Sequence, residues 1–299
     1  MKTILIGSVD SSKVVLEEMI RLNFPVDLVF SLDEKYSKNV SGYEPIHELA
    51  EAHHIPFRKF RNINEDLYVK EITDHHPDYI FVVGLSQLIK PEIIHAARIG
   101  TIGFHPTPLP KFRGRAALVW QVLLGVRETK CSLFFIDEGM DSGDIVAQEV
   151  YVIEDSDYAI DVQEKSNEAL QRMMHRALPQ MLDGTVTSVK QNEEEATYLL
   201  KRTPEDGRID WQEPVESIQR LIRAVSKPYP GAFSHYNGQH KLIFWRADYL
   251  ENKKYVGIPG QIAQITSDYI DIVCKGGLLR VSEFENIDDV QIRAGYKFK

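Results

Sequence analysis

The sequence is poor in cysteine. Cys131 and Cys274 are the two in 299 residues, and both lie in apolar, strand-like stretches. Neither has a CxxC partner or zinc-ligand spacing, so no structural metal is expected, and the setting expected is a reducing cytoplasm. Long hydrophobic runs are also missing. No window approaches the roughly 20 apolar residues of a membrane helix, and MKTILIGS gives way to polar VDSSK, so neither a membrane span nor a secretory signal is expected. The first turn, Gly7-Ser8-Val9-Asp10-Ser11-Ser12, has one glycine where a dinucleotide fingerprint needs three, and there is no P-loop and no GxSxG. Basic excess is lacking too. Residues 205–299 carry 13 acidic and 13 basic side chains, so the formal net charge of −9 lies entirely in residues 1–204. That is a poor electrostatic footprint for nucleic acid.

What is present is an ordinary globular composition, 43% hydrophobic and 26% charged. Strands are expected at Thr3–Gly7, Val26–Ser31, Tyr79–Val83, Thr101–Phe104 and Ser132–Ile136. Helical spacing falls between them, through Val14, Leu16, Met19 and Leu22, over Pro45–His53 and about Ala116–Leu124, and then over Tyr158–Leu182. Alternation of this kind implies an α/β fold with a doubly wound, mostly parallel sheet. The polar stretch Gly184–Lys201 reads as a linker, and beyond it one helix at about Pro214–Val225 precedes five short strands. The expected organisation is therefore a catalytic domain over 1–184, a linker over 185–206 and a small, mostly β domain of the OB type over 207–299.

Two clusters carry chemistry. His105 follows the strand Thr101–Phe104, and Pro106, Pro108 and Pro110 stiffen the chain beyond it. Lys111, Arg113 and Arg115 come next, just before a helix start, where an anionic substrate would sit well. A lone histidine is more often structural, and such cations are often simply solvated. The second cluster, Asp137-Glu138-Gly139-Met140-Asp141-Ser142-Gly143-Asp144, follows the strand Ser132–Ile136 and taken alone reads as an Asp/Gly turn; it does not match a calcium loop. Two strand ends are thus expected to bring a histidine and a carboxylate into one crevice. A carboxylate near an imidazole fixes its tautomer and favours its charged form, which suits proton transfer on an amine.

The run from His105 to Arg115, with Asp141 36 positions after the histidine, resembles the 10-formyltetrahydrofolate-dependent formyltransferases. That family includes methionyl-tRNA formyltransferase, the sugar-nucleotide formyltransferases and glycinamide ribonucleotide transformylase. The resemblance continues through Arg202–Trp211 and Ile222–Phe233, two stretches that look like the formyltransferase domain acting on UDP-4-amino-4-deoxy-L-arabinose. It implies a Rossmann-like catalytic domain and formyl transfer from 10-formyltetrahydrofolate, without a metal, to the amine of a nucleotide-linked amino sugar. The alternatives are initiator methionyl-tRNA as acceptor, or a folate- or nucleotide-binding relative with impaired catalysis. A homodimer is compatible with it. His105 would transfer protons and Asp141 orient it. Ser86, Leu88, Ile89 and Lys90, with Asp137, Glu138, Gly139 and Asp141, would hold the folate, and Arg115 and Arg202 the phosphates. One position departs from the pattern: Gly103 stands where the family has an asparagine whose amide holds the formyl oxygen. Thr107, Ser86, Gln87 or a backbone amide would have to replace that donor.

Overall fold

The computed structural model describes all residues except Asn39. The chain runs β1 (Thr3–Gly7), α1 (Asp10–Arg21), β2 (Leu28–Leu32), α2 (Ile46–Ala52), β3 (Phe57–Phe60), α3 (Asp66–His75), β4 (Tyr79–Val83), α4 (Pro91–Ile94) and β5 (Gly100–His105). It continues through β6 (Arg113–Gly114), α5 (Ala117–Leu123), β7 (Glu128–Phe135), β8 (Ile145–Val152), α6 (Ala159–Asp183), β9 (Tyr198–Leu199) and α7 (Val215–Val225). It ends in β10 (Ala232–Tyr236), β11 (His240–Leu250), β12 (Ile262–Ile265), β13 (Ile270–Cys274) and β14 (Gly277–Asn286). Two compact units result, one built from 1–117, 128–152 and 164–199, the other from 118–127, 153–163 and 200–299.

In the first unit a seven-stranded sheet has the order β3-β2-β1-β4-β5-β7-β8. The first five strands are parallel, while β7 runs antiparallel to β5 and β8 antiparallel to β7. Both faces are covered, so the central strands are continuous apolar runs, every residue of β1 and β2 being buried. On α1, Val15, Leu16 and Met19 are fully buried and supply the inward stripe. The order reverses between β1 and β4, and there the Ser8 and Ser12 hydroxyls donate to the carbonyls of Gly84 and Val83 at 2.6 Å each. These bonds pin the start of the loop after β4. Strand β3 and helix α3 are absent from the sequence reading, because β3 buries only Phe60 and α3 only Ile72.

The polar stretch after α6 is not a free connection. Strand β9 pairs with β6, Val189 bridges Ile145, and residues up to Leu199 belong to the first unit. Both cysteines are buried, and desolvation pushes each thiol up to about 12, so both are packing groups.

The second unit holds an antiparallel five-stranded sheet of order β10-β11-β14-β13-β12. Its two edge strands do not stay open. The C-terminal residues pair with both sides, Phe298 bridging Tyr236 and Lys297 bridging Gln261, which covers each edge. Trp211 stacks on Phe298 at 5.7 Å between ring centroids and donates its indole N–H to Ser234 Oγ at 2.9 Å. Phe298 is thus both core and edge closure. Phe298→Ala is expected to cost about 3–5 kcal/mol, read as a fall in urea midpoint. A midpoint unchanged from wild type would show that the C-terminal segment does not close the sheet. Among the described residues no helix is long and apolar enough to cross a membrane.

Candidate active site

His105 ends β5, at the carboxyl edge of the parallel strands, where open α/β sheets bind ligands. Its imidazole is buried, and Nε2 lies 2.9 Å from the Phe112 carbonyl oxygen. A carbonyl can only accept, so Nε2 carries the proton of the neutral ring and Nδ1 carries the lone pair. Nδ1 has no hydrogen-bond partner among the described residues.

Asp141 reaches the same place by a different route from the one expected. Because β7 is antiparallel, its carboxyl end lies beside Thr101 at the start of β5, with Ile136 N–H donating to the Thr101 carbonyl at 2.7 Å. The two strand ends therefore point to opposite edges. The nine-residue loop 136–144 carries Asp141 back, and Asp141 Oδ2 accepts from the Gly114 N–H at 2.8 Å. His105 and Asp141 share no hydrogen bond among the described residues. They grip the same short segment, one at Phe112 and the other at Gly114. Three non-glycine residues around this segment adopt left-handed φ, Phe112 at 63°, Ala116 at 55° and Asp141 at 51°. Such conformations cost about 1–3 kcal/mol each and persist where packing enforces them. Gly114 and Gly143 are required by close approach: a Cβ would fall 2.4 Å from the Leu199 carbonyl oxygen at the first, and 1.8 Å from that of Phe135 at the second.

The expected cationic platform is only partly available. Arg113 is 1% exposed and its donors are taken by Gln191, Glu193 and Tyr198, so it faces no substrate. Arg115 is exposed and ties the segment to the Ser86 carbonyl at 2.9 Å. Arg202 lies in the second unit, its guanidinium bonded to the Asp206 carbonyl at 2.7 Å and stacked over Trp120 at 4.9 Å; burial holds its pKa below the usual arginine range.

A cavity of about 650 Å³ opens between α4, the start of β5 and the loop after β7. Its walls are apolar at Ile94, Ile99 and Ile136, and the loop residues Asp137, Glu138 and Gly139 complete them. Glu138 closes one rim through His95 at 3.3 Å, while Asp137 shapes the turn by accepting from the Gly139 N–H and the Ser142 hydroxyl. It opens at the start of β5, the edge of the sheet opposite to His105, and its size suits a drug-sized ligand. Ser86, Leu88, Ile89 and Lys90 lie on the preceding loop, outside this wall. Asn64 fastens that loop, donating to the Leu88 carbonyl at 2.7 Å and accepting from the Lys90 N–H at 2.8 Å. Among the described residues no group of three or more metal-ligating side chains converges.

At Gly103 a side chain would have no room. An ideal Cβ falls 2.8 Å from Phe134 Cζ and 2.9 Å from Ile136 Cγ1, and Phe134 is the residue directly opposite on β7. Two of the substitutes considered for the missing amide are already engaged. The Thr107 hydroxyl is buried and donates to the Lys111 carbonyl at 3.1 Å, and Gln87 Nε2 donates to the Arg61 carbonyl at 2.7 Å. Sequence reasoning passed over Gln191, Glu193 and Phe134. A glutamine beside a glutamate run and a phenylalanine inside a strand carry no distinguishing pattern.

Two family profiles match in tandem, one described as formyl transferase over residues 17–181 and the other as formyl transferase, C-terminal domain, over residues 201–294. The chain belongs to the formyl transferase family. Solved structures share its fold. An N-formyltransferase from Helicobacter canadensis, in complex with folinic acid and dTDP-3-aminofucose, aligns with a TM-score of 0.68 at 17% identity, covering 94% of this chain and 99% of that one. A methionyl-tRNA formyltransferase from Clostridium thermocellum aligns at 0.61 and 21%, covering 92% and 99%. HypX from Aquifex aeolicus, in complex with tetrahydrofolic acid, aligns at 0.70 and 18%, and the formyltransferase spans 44% of its length. At these identities the likeness speaks for the fold.

Proposed function

We propose that this formyltransferase moves the formyl group of 10-formyltetrahydrofolate onto the amine of a nucleotide-linked amino sugar. The observation that carries the reading is His105, held at a parallel-strand end by the Phe112 carbonyl with Nδ1 unpaired among the described residues. When bound, the donor supplies a formyl carbon whose bond to N10 breaks as the acceptor nitrogen bonds to that carbon. Nδ1 of His105 takes the proton the amine loses and returns it towards the departing nitrogen. Asp141, fastened to Gly114 on the same segment, supports the imidazolium while it exists. The folate ring system is assigned to the loop that carries the chain from the end of β7 back to Asp141, at Asp137, Glu138 and Gly139, with Ser86, Leu88, Ile89 and Lys90 on the loop after β4. Arg115, exposed and fork-shaped, is assigned to the phosphates.

The acidic balance of residues 1–204 favours a small nucleotide sugar over tRNA as acceptor. The H. canadensis relative was solved with dTDP-3-aminofucose, which points the same way. The test is formyl transfer from 10-formyltetrahydrofolate to a panel of nucleotide-linked 3-amino and 4-amino sugars, with initiator methionyl-tRNA alongside. Turnover with a sugar supports the reading; turnover with tRNA alone, with a steep loss of affinity in salt, replaces it. On the sugar that works, Arg115→Ala is expected to raise KM about tenfold with kcat little changed, the loss of one phosphate contact remote from the reacting amine. An unchanged KM would remove the phosphate assignment.

A further inference from the structure

We propose that Gln191 is a positioning residue for Asp141, and that Arg113 serves this role behind the site. Gln191 is 5% exposed and uses its whole carboxamide. Nε2 donates to the Asp141 carbonyl at 2.8 Å and to the Gly143 carbonyl at 2.7 Å, so one side chain spans the turn that returns Asp141 to His105. Oε1 accepts from Arg113 Nε at 3.1 Å and Nη2 at 2.8 Å, which fixes the carboxamide in the orientation that aims its amide at the loop. The far side of the guanidinium is balanced by Glu193 through two bonds of 2.9 and 2.7 Å, and Tyr198 adds a contact at 3.2 Å. Charge and hydrogen bonds are thus satisfied without a ligand, as a buried arginine requires.

The arrangement has a consequence for the chemistry. Asp141 sits at φ 51° and, among the described residues, its carboxylate has one partner, the Gly114 N–H. Left to itself, a strained nine-residue loop with one such tether relaxes, and the carboxylate drifts. Arg113 also lies between Phe112 and Gly114, the residues that hold His105 and Asp141. One buried cluster therefore sets both groups, and part of it comes from the stretch after α6 that reads as a linker.

The turnover arm of the test rests on the proposed acceptor; the binding arm does not. Gln191→Glu keeps the acceptor for Arg113 and removes both donors to the loop. It is expected to lower kcat about 10²-fold, as misplacement of a reacting group by roughly 1 Å does, with KM for the amino sugar nearly unchanged. Because loop residues 137–139 are assigned to the folate ring system, tetrahydrofolate affinity by fluorescence titration is expected to fall about tenfold. If the wild type formylates no acceptor while Gln191→Glu still loses tetrahydrofolate affinity, the proposed acceptor fails and the positioning role stands. A folded Gln191→Glu enzyme with wild-type kcat and wild-type tetrahydrofolate affinity overturns the inference, as does one in which only the melting temperature moves. Should Gln191→Glu not fold, Glu193→Gln decides. It loosens Arg113 from an exposed carboxylate, and is expected to show the same two losses in smaller measure; no loss in either would be fatal.

Discussion

His105→Ala is expected to lower kcat for formyl transfer by about 10²–10⁴, the worth of a positioned general base. KM for the folate should stay near its wild-type value, because the imidazole is not among the groups assigned to the folate ring system. The expectation rests on the Phe112 carbonyl, which assigns the proton to Nε2 and leaves Nδ1 as the basic atom. Asp141→Asn separates two actions of the carboxylate, charge and tether. The carboxamide oxygen can still accept from Gly114 N–H, so the loop stays tethered, but the negative charge that supports imidazolium is gone. A loss as large as that of His105→Ala identifies the charge as what matters. A small loss for Asp141→Asn with a large one for Asp141→Ala identifies the tether. Retention of more than about a tenth of kcat in His105→Ala rules out a general-base role of this size.

Much of this site is legible in the chain because its signals are local. The apolar runs Thr3–Gly7 and Tyr79–Val83 read as buried strands and are strands with those bounds. His105 falls at a strand end as its flanking prolines imply. What was not legible is tertiary. The direction of β7 cannot be read from its own residues, since an apolar run looks the same either way round, and it decides that Asp141 must return by a loop. Likewise Arg113 looks like one more solvated cation between Lys111 and Arg115 until Gln191 and Glu193 arrive from 78 and 80 residues further on. Weakly amphipathic edge elements such as β3 carry too few buried residues to show a period. The role of 185–199 was hidden for the same reason: its polar side chains answer a buried arginine elsewhere.

Gly103→Asn is expected to make this enzyme worse, although it restores the residue that the family pattern has there. In a site with room, the added amide would hold the developing oxyanion, and such a donor is worth about 10²–10³ in rate. Here the space is filled. Phe134 stands opposite Gly103 on β7, is 4% exposed, and its ring edge lies 2.8–2.9 Å from where Cβ would be, with Ile136 Cγ1 at 2.9 Å. The asparagine would have to displace an enclosed ring, an overpacking cost of about 1–3 kcal/mol, and its amide would emerge off line. A lower melting temperature and a lower kcat/KM are therefore expected together. Thr107→Val cannot serve as the control for a substitute donor, because that hydroxyl holds the Lys111 and Phe112 carbonyls. The informative partner is Phe134→Ala. In the double variant Gly103→Asn, Phe134→Ala the carboxamide gains the volume the ring vacates, and stability should exceed the sum of the single changes by about 1 kcal/mol or more, as contacting residues couple. If kcat of the double variant also rises above that of Phe134→Ala, the glycine and the phenylalanine are one exchanged pair. A Gly103→Asn enzyme faster than wild type at unchanged melting temperature would show instead that the ring yields, and that the native site works without a donor it has room for.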